Sequence, residues 1–171
     1  MYTGSDRPRI KIGMNSIDWL LEFIAFALIV IHILLLVFYY SDLPGTIPTH
    51  FNGAGDPDGY GSKTTLFLIP AFSVFIYLSL TIAAFFPHIY NFPVKITEQN
   101  AEIQYRLAIR FLRAIKVLVL LMFAFINYRT VLIALGSTTG LGVVFLPVFL
   151  LLFFGVIALY FVQALNNRFP G

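Results

Sequence analysis

Apolar residues run along this chain in long unbroken blocks, not in the two-residue alternation of a half-buried strand or the narrow stripe of a soluble amphipathic helix. Stretches free of Asp, Glu, Lys and Arg cover residues 23–41 (19 residues), 64–94 (31), 117–128 (12) and 130–167 (38). A helix that crosses a bilayer needs about 20 mostly apolar residues. The blocks therefore predict four spans, over residues 19–40, 65–90, 112–135 and 143–165. The Gly-Ser-Thr-Thr-Gly-Leu-Gly stretch at 136–142 separates the last two, because clustered glycines end helices and mark turns.

Composition agrees with a lipid environment. Of 171 residues, 59% are hydrophobic and 11% charged, with a mean hydropathy of +0.87. An average soluble domain is about 45–50% apolar and about 25% charged, and a disordered chain is poorer still in apolar residues. The formal net charge of +3 does not point to nucleic acid, since the basic residues are scattered between apolar runs and form no single basic face. They read instead as topology. Nine of the 11 Lys and Arg fall at the N-terminus (Arg7, Arg9, Lys11), between spans two and three (Lys95, Arg106, Arg110, Arg113, Lys116) and at Arg168, leaving Lys63 and Arg129 on the other side. Cytoplasmic segments carry the Lys and Arg excess, so both termini are expected inside.

The predicted fold is an all-α integral membrane bundle of four transmembrane helices in two hairpins, forming one domain over 1–171. It has a cytoplasmic N-terminus at 1–18, an outer loop at 41–63 and a basic cytoplasmic loop at 91–111. Trp19, Tyr39, Tyr40 and Tyr90 sit near span ends, where interfacial aromatics belong. The absence of cysteine excludes disulfides, thiolate metal sites and a cysteine nucleophile.

The outer loop reads SDLPGTIPTHFNGAGDPDGYGSK, 23 residues with five glycines and three prolines. Connections in helical bundles typically run about 2–8 residues, and longer ones are usually functional or disordered. Its prolines fix φ, Asp58-Gly59 reads as a tight turn, and Leu43, Ile47, Phe51 and Tyr60 are available to dip into the membrane surface. An ordered cap is expected. Pro48, His50, Phe51, Asn52, Asp58, Tyr60 and Lys63 are its candidate binding residues.

Leu43-Pro44, Ile47-Pro48, His50-Phe51-Asn52, Gly55, Pro57-Asp58-Gly59, Ser62-Lys63 and Pro70 resemble the signature of the membrane domain of unknown function 1648. That domain also forms the N-terminal part of the sporulation-delaying-protein immunity family. The resemblance implies a bacterial inner-membrane, multi-pass protein, and, for members similar to the immunity protein, protection against a secreted toxic peptide, with some also holding a cytosolic repressor at the membrane. Those longer members carry further helices beyond the four predicted here.

No enzymatic chemistry is expected. His50, Asn52, Asp56 and Asp58 are ligand-type residues, but their spacing matches no metal motif, and an EF-hand fails because Thr65 stands where its bidentate Glu belongs. Gly61-Ser62-Lys63-Thr64 lacks the glycine directly before lysine of a phosphate loop, and no nucleophile elbow surrounds Ser62. Neither metal nor cofactor is predicted.

Within the spans, Asp18, Glu22, Ala25, Ile29 and His32 recur at three- and four-residue spacings, which puts the two acids and the histidine on one face of the first helix. The two acids are expected level with Arg110, Arg113 and Lys116 of the third helix, forming ion pairs. His32 lies deeper, suited to a hydrogen bond with a neighbouring helix or to a proton relay. Arg129 is expected to meet Asp42, Asp56 or Asp58 of the outer loop, or to snorkel to headgroups. Arg106, Arg110 and Arg113 form a stripe, with Lys116 rotated off it, that offers contacts to anionic lipid or a cytosolic partner. The expected function is non-enzymatic binding of a peptide or partner through the outer loop. One alternative is an accessory subunit of a larger membrane complex, packing through small residues at Ala83, Ala84 and Gly155; another is a small transporter using His32.

Overall fold

The structure is a computed structural model and describes residues 7–168, so the first six residues of the expected N-terminal segment lie outside it. The chain is mostly helical. In order come α1 (Ser16–Tyr39), strands β1 (Thr46–Phe51) and β2 (Pro57–Ser62), α2 (Leu68–Ala83), α3 (Ala101–Ala134) and α4 (Phe145–Asn166). Short 3-10 turns at Lys63–Phe67 and Pro87–Ile89 precede and follow α2. Three helical stretches, Ser16–Tyr39, Lys63–Ala83 and Phe145–Asn166, are long and apolar enough to cross a membrane.

Local sequence explains where the elements start. Asn15 caps α1 by accepting from Asp18 N at 3.1 Å, while the Asp18 carboxylate accepts from Asn15 N at 3.0 Å. This reciprocal pair satisfies two amides that would otherwise be orphaned at a helix start. Thr97 and Asn100 make a similar exchange ahead of α3, at 2.9 and 3.3 Å.

Several boundaries differ from those read from hydropathy. The second span was expected to reach residue 90, but α2 ends at Ala83. Pro87 disfavours helical geometry at the preceding residue, and Phe86 accordingly sits at φ −123° and ψ 50°. The third helix starts at Ala101 instead of 112, so most of the expected basic loop is helical. With 34 residues, α3 is about 50 Å long at 1.5 Å per residue.

The 41–63 segment folds as an antiparallel β-hairpin, pairing Thr46 with Ser62 and Pro48 with Tyr60. Its turn is not at Asp58-Gly59. The Asn52 carboxamide oxygen accepts from Ala54 N at 2.9 Å and Asp56 N at 3.0 Å, and Gly55 takes φ +87°, which fixes the reversal at 52–56. Gly59 instead lies within β2 opposite His50, where an added Cβ would come within 2.9 Å of the His50 Cβ.

Helix α3 is the central post, packed against α1, α2, α4 and β1. Two apolar layers join it to α1. Ala25, Leu28 and Ile29 meet Leu120 and Ala124, and nearer the hairpin Leu36, Leu43 and Ile47 meet Leu66 and Val131. Burying these side chains fixes which faces of α1 and α3 meet, and therefore which polar residues face each other between and beyond the layers. At the other end Ala108 packs against Tyr160 and Ala164 of α4.

Candidate functional site

The hairpin is held at both ends. At its base, Lys63 Nζ donates to the carbonyls of Tyr40 (3.1 Å) and Leu43 (3.0 Å) and lies 4.7 Å from the Tyr40 ring centroid. A cation there satisfies carbonyls at and just beyond the C-terminus of α1 and complements the negative end of its dipole. Lys63 is thus committed to the fold and is not presented as a binding residue. Asn52 is likewise occupied by the turn.

At the tip, Gly55 O accepts from Leu141 N at 2.7 Å, in the connection between α3 and α4. The approach requires glycine at 140, where a Cβ would lie 2.7 Å from Gly55 O, and Gly55 itself sits at φ +87°, which favours glycine, with a Cβ there 3.2 Å from Gly142 N. Arg129 holds this connection from below. Its Nε donates to Gly140 O at 2.8 Å, and its Nη2 donates to Thr138 Oγ1 at 2.7 Å and also to Gly140 O. The expected carboxylate partners Asp42, Asp56 and Asp58 do not engage it, because the inter-helix connection supplies nearer oxygens. Arg129, Gly140 and Gly55 form a chain that ties α3 to the hairpin tip.

What remains exposed on this braced hairpin is a small polar and aromatic surface. His50 Nδ1 lies 2.5 Å from Asp58 Oδ1, with the two side chains 72% and 44% exposed, and Tyr60 is 62% exposed. Pro48 and Phe51 turn toward the bundle and line a groove of about 270 Å3 together with Leu66, Phe72, Phe123 and Thr130. Among the described residues no three His, Asp or Glu side chains gather as a metal site.

The opposite end carries a buried charge cluster. Arg113 Nη1 reaches Asp18 Oδ1 at 3.0 Å, and Arg113 Nε reaches Glu22 Oε1 at 3.1 Å. Lys116 Nζ donates to both Glu22 oxygens at 2.8 and 2.7 Å and to Thr81 Oγ1 at 2.9 Å, and stands 4.6 Å from the Tyr77 ring centroid. One lysine therefore joins α1, α2 and α3. The Lys116 side chain is 1% exposed and that of Arg113 11%, so both are taken up internally and not offered to lipid or a partner. Arg110, 3.7 Å from Asp18, keeps a partly exposed side chain, and Arg106 pairs with Glu102 at 3.0 Å.

Further contacts were not foreseen. Arg7 donates to the carbonyls of His88 (3.2 Å) and Tyr90 (2.5 Å), and Tyr105 Oη donates to Pro8 O at 3.0 Å, so the N-terminal segment lies against α3. Tyr90 Oη donates to Ala83 O at 2.6 Å, and burial pushes this phenol up to about 12, so it remains a donor. Gln104 Nε2 donates to Ala164 O and Asn167 O at 2.9 and 3.0 Å, and Asn100 Nδ2 to Arg168 O at 3.0 Å, capping the end of α4. Asparagine and glutamine bonded to backbone carry no sequence signature beyond their polarity. His32 is fully buried, and neither ring nitrogen has a hydrogen-bond partner among the described residues.

The hairpin lies within the stretch that similarity singles out. Residues 27–74 match the family described as Domain of unknown function (DUF1648). Three helices suited to a bilayer accompany the match, and the chain is a membrane protein with that domain. The matched stretch runs from the middle of α1 through the hairpin into α2. A protein of Archaeoglobus fulgidus named "Uncharacterized protein" is 47% identical over 51 residues, 30% of this chain and 26% of its own length. No solved structure matches the chain.

Proposed function

We propose that the chain is a non-enzymatic, four-span protein of the cytoplasmic (inner) membrane, with both termini inside, that engages a polypeptide through its outer hairpin. The observation that carries this reading is the contrast within the hairpin. Its base and tip are tied by Lys63 and by the Gly55–Leu141 bond, while His50, Asp58 and Tyr60 are left exposed. A recognition surface loses less entropy on binding when its scaffold is already fixed, and exposed aromatic and hydrogen-bonding groups suit peptide recognition.

Topology draws support from charge. Arg106, Arg110, Arg113 and Lys116 all belong to the end of α3 far from the hairpin. Treating α3 as a span accounts for its length and for the apolar run at 117–128. Resemblance of the hairpin motif to the N-terminal part of the sporulation-delaying-protein immunity family supports a secreted peptide as the partner. Anionic headgroups are the natural contact for half-exposed Arg106 and Arg110.

The test is a photo-crosslinking residue placed at Tyr60 in cells of the source organism. A small secreted polypeptide adduct that disappears with His50→Ala/Asp58→Ala, at unchanged membrane levels, is the expected result. Absence of any adduct, with unaltered peptide resistance in the double variant, would remove the proposal.

A second reading, an accessory subunit, has its own observation. Only 6% of the most apolar window of α4 is buried, and a Cβ on Gly155 would meet nothing within 4 Å. That bare face of α4 suits a neighbouring helix, and a membrane protein crosslinked from position 155 at one-to-one stoichiometry would favour it.

A further inference from the structure

Between the charge cluster and the hairpin, three helices each contribute a fully buried polar side chain: His32 from α1, Ser73 from α2 and Asn127 from α3. Their depths follow from contacts on either side. The Glu22–Lys116 pair and the Leu36–Val131 contact bracket the α1–α3 interface. His32 lies ten residues beyond Glu22 and Asn127 eleven beyond Lys116, on helices running the same way, which sets them at one level. Helix α2 runs antiparallel and shares the Lys116 level through Thr81. Ser73, eight residues back from Thr81, is therefore about 12 Å along the axis, within about one turn of Asn127.

Hydrogen bonding at this level is incomplete. Both ring nitrogens of His32 and both Oδ1 and Nδ2 of Asn127 have no partner among the described residues. Ser73 Oγ donates to Ile69 O at 2.8 Å and keeps its acceptor capacity. Buried polar groups in folded proteins are almost always paired, with protein or with ordered water, and an unpaired one within a bilayer is especially costly. Rotating the two side chains toward each other does not solve this. A neutral imidazole has one donor and one acceptor on opposite sides of the ring, and a carboxamide has two donors and an acceptor. One direct bond leaves the second imidazole nitrogen and an amide donor unmet.

The missing partner must be small, able both to donate and to accept, and uncharged. Among the described residues no carboxylate lies at this level to balance a cation, because Asp18 and Glu22 are engaged by Arg113 and Lys116 nearer the far end of α1. A groove opens on the hairpin side. The groove beneath β1 is lined by Ile69, whose carbonyl accepts from Ser73, and by Ile126 and Thr130, which flank Asn127 on α3. We propose that His32, Asn127 and Ser73 form a water-binding site inside the membrane-embedded bundle, filled through the groove under the hairpin.

Water-edited NMR of the full chain in lipid nanodiscs, with histidine and asparagine side chains labelled with 15N, tests this. Rapid magnetisation transfer from water to the His32 ring N–H and the Asn127 carboxamide is expected, at a rate well above that of interior backbone amides of α1. Asn127→Leu should lower the transfer to His32 at least two-fold. A wild-type protein in which neither side chain receives magnetisation from water would overturn the proposal, and that measurement does not depend on the variant folding. Equal transfer to His32 in wild type and a folded Asn127→Leu would overturn the shared site.

Discussion

Removing the Glu22 charge probes the strongest polar contact between the helices. In Glu22→Gln, Lys116 loses the carboxylate charge that its ammonium meets at 2.7 and 2.8 Å, and retains a neutral amide oxygen, the Thr81 hydroxyl and the Tyr77 face. With only 1% of the lysine side chain exposed, water cannot replace the carboxylate without prying α1 from α3. Arg113 loses its 3.1 Å contact to Glu22 as well and keeps Asp18. Breaking one side of a buried pair typically costs about 3–5 kcal/mol, because the surviving charge is left uncompensated. The retained hydroxyl and ring place this case at the lower end, about 3 kcal/mol. The double variant Glu22→Gln/Lys116→Met removes both charges, and should recover about 1–3 kcal/mol of that loss as the coupling between the two sites. Reversible unfolding in bicelles, followed by tryptophan fluorescence of Trp19, measures the wild type, Glu22→Gln, Lys116→Met and the double variant. A cost below about 1 kcal/mol for Glu22→Gln, or strict additivity in the double variant, would refute the view that this pair is a buried, mutually dependent contact.

Other substitutions separate scaffold from surface. Gly140→Ala forces a Cβ to within 2.7 Å of Gly55 O, and is expected to cost about 1–3 kcal/mol and to speed amide exchange across 46–62 while leaving α1 protected. Lys63→Met removes two charge-assisted bonds at the end of α1 and should destabilise by about 1–3 kcal/mol, with exchange rising first at residues 39–43. His50→Ala should change stability by about 0.5 kcal/mol or less, because an exposed side-chain contact such as that to Asp58 contributes little. A large stability loss there would move His50 from surface to scaffold.

Much of the architecture was legible because lipid imposes a single demand, long apolar helices, that composition reports directly. The spans read at 19–40 and 143–165 match α1 (Ser16–Tyr39) and α4 (Phe145–Asn166) to within three residues at each end. The start of α3 was not legible on the same basis, since residues 101–116 are charged and helical at once, and hydropathy reports immersion rather than helix length. The shared face of Asp18 and Glu22 could be read from spacing, and basic residues on α3 were the obvious complement. The hairpin was harder to see. TIPTHF and PDGYGS lack clean alternation, and their prolines and glycines argue for turns until Asn52 is seen to hold the reversal. Arg129 and Lys63 find backbone carbonyls, and a carbonyl has no letter in the sequence. The DUF1648 motif itself was visible in the spacing of Pro, His, Asn and Gly residues, though it identifies a domain and not an activity.

The role given to the hairpin is tested most directly by native mass spectrometry of the protein drawn gently from its own membranes, alongside His50→Ala/Asp58→Ala. A small secreted polypeptide should accompany the wild-type chain and be missing from the double variant, with both proteins equally abundant and folded. A bare wild-type chain, or a membrane subunit bound equally to both proteins, would contradict recognition through the hairpin.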